Sequence, residues 1–328
     1  MVNNVEAECS FDNWYNIFSK ESLEAIIIPL TTEILKYLEH DSFILPIEAT
    51  RNITCNSEWS DGSSVTEDSS NEPENTPPNF PEFSQKIQQA IDEFKAVFIK
   101  SNWSTPSDAT WVTPTKSLKC TSLEDVYLLL KSSDRISRDL SKLRSCSDNK
   151  NPLNFCLVLK RWNEINPCTE FRCFVIENEL VGICQRDVSQ YYRHIESEKY
   201  NIQKDITTLF NERIKDRFKL QNYSFDVIRY KKDKVKIIDF GPMNESVTNE
   251  TLFTYQELNE IEITPEFRFI AEEVGVQPKK INHFCVPQEI NDFFQSRGEM
   301  SLIDTLRAEV ESQETANESD EEESGQNR

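Results

Sequence analysis

Glycine is scarce in this chain, with six among 328 residues. That excludes the P-loop and the Rossmann fingerprint, because both place several glycines within a few positions so that backbone can approach a phosphate. The nine cysteines include no Cys-x-x-Cys pair, and the three histidines (His40, His194 and His283) lie far apart, so the spacing of a zinc site is absent. Reduced thiols in a cytoplasmic protein are the expectation. No apolar run approaches the roughly 20 residues of a membrane span, and the opening MVNNVEAECS lacks the basic and apolar regions of a secretory signal. Neither membrane insertion nor secretion is expected. Positive charge is also short: 36 Lys and Arg against 57 Asp and Glu give a formal net charge of -21. Nucleic-acid affinity rests on Lys and Arg displacing counterions, so nucleic acid is excluded as the main partner and a basic protein fits better.

The acid is concentrated in two places. Residues 52–85 carry seven acids and no base, and residues 309–328 carry eight acids and one base. The stretch NSEWSDGSSVTEDSSNEPENTPPNFP (residues 56–81) is nearly free of aliphatic residues and cannot offset its ordering entropy by burial. An acidic disordered loop is expected over residues 56–82 and an acidic tail over residues 296–328, each either a solvated linker or an acidic docking surface.

Between them, residues 83–94 alternate with helical period and AVFIK (residues 96–100) follows as a short strand. Thr121 with Glu124 reads as a capping box ahead of the amphipathic LEDVYLLLKSS. Strand-like runs follow at FCLVLKRW, EFRCFVI and LVGICQRD, the last two joined by the polar turn at residues 177–179. Residues 196–218 read as a long charged helix, and a hairpin comes after it. Helices packed on mixed antiparallel sheets make an α+β architecture.

In that hairpin Asp226 of YSFDVIRY and Asp239 of KVKIIDFGP flank the turn at residues 231–234. Opposed residues of a hairpin share a constant index sum, so a turn centred on Lys232 and Asp233 sets the two aspartates face to face. A three-residue turn or a bulge would instead shift the pairing by one and turn one carboxylate to the other face. Like charges across strands cost about 0.2 to 1 kcal/mol, which invites a cation between them, magnesium with nucleotide phosphates being the natural candidate. The alternative is two aspartates on a half-exposed sheet edge. Lys100 ends an apolar strand before the hydroxyl-rich SNWSTPSDATWV, placed to meet a phosphate or simply exposed. Trp162, after Lys160 and Arg161, reads as cover for an adenine edge or as core. Glu170 and Arg172 share a strand face, and Arg186 and Asp187 end the next strand; a bound ligand or a surface ion-pair ladder would account for them. The DFG at residues 239–241 does not make a kinase, because about a hundred residues separate it from Asp139 of RISRDL and no glycine-rich loop exists.

A lysine strand with a flexible loop, a hinge strand, a Glu-x-Arg strand and a hairpin with two carboxylates, in this order, resemble the ATP-grasp fold. More closely, NWSTPSDATWV, SLKCTSLEDVYLLLKSSD, LVLKRW, EFRCFV, QRDVSQYY and IIDFGP resemble the cell division cycle protein 123 family of eukaryotes, from CSFDNWY to the QEL region after Phe253. The resemblance implies ATP-grasp lobes over residues 83–153 and 154–295 with residues 1–55 packed on them. It implies ATP and Mg2+ as ligands, and a role in assembling translation initiation factor 2 through its gamma subunit. A monomeric ATP-binding chaperone is implied rather than an enzyme, with an ATP-grasp ligase that forms an acyl phosphate as the rival. Residue by residue, Lys100 contacts phosphate, and Asn102, Trp103, Ser104 and Ala109 belong to a covering loop. Lys160, Arg161, Trp162 and Asn163 line an adenine hinge, Glu170 or Arg172 lies near ribose and phosphates, and Asp187 lies near the cleft. Asp226 and Asp239 hold magnesium. Partner binding is expected around Trp14 and Tyr15 and on the acidic segments.

Two positions depart from the resemblance. The family usually reads Asp-Phe-Asn-Pro where this chain has Gly241, which offers no side-chain ligand, so its carbonyl or a water must substitute. Many ATP-grasp ligases carry an arginine two residues before the first metal carboxylate, and here that residue is Ser224, which weakens the ligase reading.

Overall fold

Two sheets and the helices between them organise the chain, whose computed structural model describes residues 2–40, 42–50, 76–146, 154–248, 251–261, 265–273 and 276. Strands β1 (Ala25–Pro29), β2 (Val97–Lys100), β3 (Lys119–Cys120) and β4 (Cys156–Arg161) pair antiparallel in the order β1-β4-β2-β3. Strands β5 (Glu170–Ile176), β6 (Glu179–Gln185), β7 (Tyr223–Lys231), β8 (Lys234–Pro242) and β9 (Glu266–Arg268) form the second sheet, β8-β7-β5-β6-β9, antiparallel except for the β6–β9 pair. This is the α+β class expected from the sequence. The expected acidic tail lies outside the described residues, as does most of the acidic loop.

The α-helices among the described residues are α1 (Val2–Glu8), α2 (Phe11–Phe18), α3 (Thr32–Glu39), α4 (Ile47–Thr50), α5 (Pro81–Phe94), α6 (Leu123–Ser132), α7 (Asp134–Cys146), α8 (Arg193–Leu209), α9 (Glu245–Thr248) and α10 (Tyr255–Glu260). Strand alternation divides the first sheet between two cores. Val97, Ile99, Leu157 and Leu159 pack with Ile87, Ile91 and Phe94 of α5 and Leu129 of α6. Cys156 and Val158 turn the other way, into a core with Phe11, Trp14 and Phe18 of α2. Central β4 is therefore buried on both faces, which its near-continuous apolar run requires. In the second sheet Phe171, Cys173, Phe225 and Val227 face Ile195, Ile202 and Ile206 of α8. The opposite face carries Glu170, Arg172, Ser224, Asp226, Asp239 and Gly241, and further along it Phe174 and Cys184 are covered by Phe253 and Leu258.

Local signals explain most boundaries and correct three. Helix α5 starts at Pro81, two residues before the expected 83, because proline suits the first helical turn. The capping box of α6 is Ser122 with Asp125, one residue beyond the expected Thr121 and Glu124. Asp125 Oδ2 accepts from the amides of both Thr121 (2.8 Å) and Ser122 (3.1 Å), so the shorter acid wins the cap. The charged helix expected over residues 196–218 begins at Arg193 and passes at Phe210 into a π-helical turn. The β5–β6 turn is Glu177 and Asn178, both with positive φ (52° and 63°), the backbone a two-residue hairpin needs.

The hairpin register is as expected at the aspartates, Asp226 opposite Asp239, but the pairing between them and the tip is shifted. Ile238 is an extra residue on β8 and Tyr230 an extra residue on β7, and the two bulges cancel, so Lys231 again faces Lys234.

Candidate functional site

Strand β8 is the outer strand of its sheet, and a free edge leaves backbone groups to be satisfied. Glu21 and Leu23 satisfy Ile237 through Ile237 N to Glu21 O (2.8 Å) and Leu23 N to Ile237 O (3.3 Å). The bulge turns the Ile238 carbonyl out of the ladder, and Lys160 Nζ of β4 donates to it at 2.7 Å. One residue on, Asp239 forms an ion pair with Lys100 at the end of β2. Both lysines come from the same face of the first sheet, so the junction of the sheets is built by alternation in one and a bulge in the other. Lys100 is 1% and Lys160 5% exposed. Burial lowers the Lys160 ammonium to about 7; Asp239 opposes that shift and Lys100 adds to it.

Asp226 faces Arg172 across β5 and β7, and the pair is bidentate, with Nε and Nη2 each donating at 2.7 Å. Arg186 Nε stands 3.7 Å away. Burial alone would raise the Asp226 carboxyl, but Arg172, then Arg186 and Lys100, hold it below its ordinary value. Glu170 is pushed up to about 6, by burial first and the Asp226 charge second. Asp187 accepts from Ser189 Oγ (2.6 Å) and Tyr192 Oη (2.7 Å). The opposed aspartates are thus neutralised from within the chain: Lys100 on one side, Arg172 and Arg186 on the other.

The turn after Lys100 is held rather than loose. Asp139 of α7 accepts from Ser101 Oγ, Ser104 N (2.9 Å) and Ser104 Oγ (3.1 Å). Asn102 is a strut: its amide donates to Ser10 Oγ (2.8 Å), Asp12 Oδ1 (3.2 Å) and Asn154 O (2.9 Å) and accepts from Cys156 N (2.9 Å). Trp103 Nε1 donates to Glu6 O at 2.8 Å, and Ala109 is buried in the first core. Among the four hinge residues, Lys160 alone turns into the junction. Arg161 pairs with Glu24 (2.9 Å) and lies over Phe94, and exposed Asn163 donates to Arg161 O (3.0 Å). Trp162 Nε1 is buried without a hydrogen-bond partner among the described residues.

The two departures noted in the sequence face each other. Ser224 pairs with Gly241, and a Cβ at position 241 would lie 3.1 Å from Ser224 Oγ. The serine occupies the space that a side chain there would need. A cavity of about 260 Å³ lined by Lys204, Asp205, Thr208 and Asp233 lies toward the hairpin tip, but its Asp205 is committed to Arg229 at 2.7 Å.

Phe11 and Asp139 belong to this neighbourhood and were not singled out by sequence as site residues. Both lysine Nζ atoms stand over the Phe11 ring, at 5.3 Å for Lys100 and 4.7 Å for Lys160. Asp139 had a signal: an acid three residues after Ile136 on a stripe that continues with Leu140 and Leu143. Phe11 had none, since the two lysines it meets lie roughly ninety residues or more along the chain.

The donor set fits a magnesium-bound polyanion. Two carboxylates on facing strands match what Mg2+ takes from protein, one or two carboxylates with phosphates and water completing the shell. Among the described residues no group of three or more metal-ligating side chains forms. The surplus of lysine and arginine suits phosphate.

Fold and junction define an α+β protein in which two sheets meet at a cluster of two buried lysines with partly buried arginines and aspartates. Comparison with known proteins gives the particular family. The profile of the D123 family matches residues 14–294, and the chain belongs to that family. The translation initiation factor eIF2 assembly protein of Xenopus laevis is 38% identical over 326 residues, covering 91% of this chain and 94% of its own. Cell division cycle protein 123 of Yarrowia lipolytica is 37% identical, covering 79% and 69%. The solved structure of Cdc123 from Schizosaccharomyces pombe superposes with a TM-score of 0.65 at 34% identity, covering 82% of this chain and 98% of that one.

Proposed function

We propose that this protein binds ATP with Mg2+ at the junction of its two sheets, in the manner of ATP-grasp proteins, and acts in the cytoplasm as a monomeric assembly chaperone for translation initiation factor 2 through the gamma subunit. The observation that carries the nucleotide reading is the self-neutralised cluster. Charges removed from water are costly, so three cations paired with two opposed carboxylates, beside the buried ammonium of Lys160, are hard to explain as a stability device. As a nucleotide site they are readily explained: Lys100 and the arginines would meet phosphate, and Asp239 with Asp226 would hold magnesium. The relatives' names support the assembly role. No helix of the described residues is long and apolar enough to cross a membrane, which accords with the proposed location.

Ser224, where ligases of this fold carry arginine, weighs against acyl-phosphate chemistry. Binding energy alone suffices for a chaperone, since a ligand at 100 times its dissociation constant stabilises the conformer it selects by about 2.7 kcal/mol. Isothermal titration with Mg·ATP tests the site: one-to-one binding is expected, lost in Asp226→Asn and Asp239→Asn. Absence of heat in the wild type would sink it. Pull-down of the isolated gamma subunit tests the partner, and capture unchanged in Lys100→Ala and Asp239→Asn would uncouple nucleotide from function. Intact mass of the gamma subunit after incubation with Mg·ATP should be unchanged; an adduct would restore the ligase reading.

A further inference from the structure

The lysine pair is an electrostatic problem that the nucleotide reading, on which this inference rests, does not solve. Lys100 and Lys160 are both nearly inaccessible to water, and two like charges held this close to one ring repel. Lys100 has a carboxylate partner, Asp239; Lys160 has the Ile238 carbonyl. What they share is Phe11, 0% exposed, with both ammonium groups inside the roughly 6 Å over which the negative face of an aromatic ring attracts a cation.

The ring is held in position and orientation. Phe11 N donates to Asn102 O at 3.0 Å, and the neighbours Ser10 and Asp12 both accept from the Asn102 amide. Backbone on either side of Phe11 is therefore tied to the turn that follows Lys100. Tyr15 stacks on the ring at 4.9 Å with an interplanar angle of 21°, and Trp14 meets it edge-on at 4.6 Å. An ordinary core phenylalanine needs no such fixed relation to two charges.

We propose that Phe11 is a positioning residue of the anion site, its ring holding the Lys100 and Lys160 ammonium groups side by side for the phosphates of the nucleotide. The N-terminal helix α2 then completes the site instead of merely bracing it. Phe11 would hold both ammonium groups whether or not Asp239 is paired with Lys100.

Replacing Phe11 with mono-, di- and trifluorophenylalanine tests this, because fluorine drains the negative face while nearly preserving shape. Affinity for Mg·ATP and for inorganic triphosphate, read by isothermal titration, should fall stepwise to about tenfold below wild type. Affinity for adenosine should hold. Triphosphate affinity that stays level across the series overturns the role of Phe11 and leaves the nucleotide reading intact. A wild-type protein that binds neither Mg·ATP nor triphosphate overturns the nucleotide reading itself.

Discussion

Both ends of the β7–β8 hairpin set like charges face to face, and they are resolved in opposite ways. At the open end Asp226 faces Asp239, both partly buried, and Lys100 of β2, Arg172 of β5 and Arg186 just past β6 surround them. At the tip Lys231 faces Lys234, with Lys232 between them, and none of the three makes an ion pair among the described residues. These lysines are exposed. Water and salt screen the tip, whereas the buried end must be neutralised by protein or ligand. The difference shows that burial, rather than the pairing itself, turns a tolerable repulsion into a demand for specific partners.

The comparison breaks most severely at Arg172. Arg172→Ala leaves Asp226 buried without its bidentate partner and should cost about 3–5 kcal/mol, measured by urea denaturation. A loss as small as that of a surface pair would mean the end is solvated after all. Lys160→Met should cost less, because relief of the buried ammonium's desolvation offsets the donor lost by the Ile238 carbonyl, while Mg·ATP binding is lost. Its pH signature has a definite sign. The folded ammonium titrates at about 7 against 10.5 ordinarily, so between those values the unfolded chain holds more protons and wild-type stability rises with pH. In Lys160→Met that rise should disappear; an unchanged slope assigns it to another group.

Gly241→Asn probes the packing of the buried end. Its Cβ would meet Ser224 Oγ, so a cost of about 1 kcal/mol is expected, largely recovered by adding Ser224→Ala. A double-mutant cycle without coupling would show that the two residues are independent. The smallest effect belongs to the tip, where Lys231→Glu should gain about 0.2–1 kcal/mol by pairing with Lys234. That gain should fade in 1 M salt, whereas the cost of Arg172→Ala should persist.

Much of this was legible because period-2 alternation writes strand faces directly into sequence. The segments of the two sheets, and Asp226 opposite Asp239, follow from alternation and turn position. The constant index sum behind that register holds only because Ile238 and Tyr230 bulge in compensation, and no local signal marks either residue. Lys100 could be singled out as a strand end, but its pairing with Asp239 spans 139 residues, a separation over which sequence pattern carries no information. The capping box slipped by one because serine and threonine are adjacent and both are competent. Asn102 and Trp103 were expected to cover a ligand, yet their hydrogen bonds go to the N-terminal helices and to β4. That distinction depends on where residues 6–12 pack.

The wedge made by α2 also sets a clock for synthesis. Trp14 and Phe18 complete their packing on Phe240, at ring-centroid distances of 5.0 and 5.3 Å. More than two hundred residues must be translated between them, about 10–45 s at ordinary elongation rates. For that interval Phe11, Trp14 and Phe18 have left the ribosome without the strand that buries them. The segment that finishes the charged junction thus waits through most of synthesis for its last partner strand.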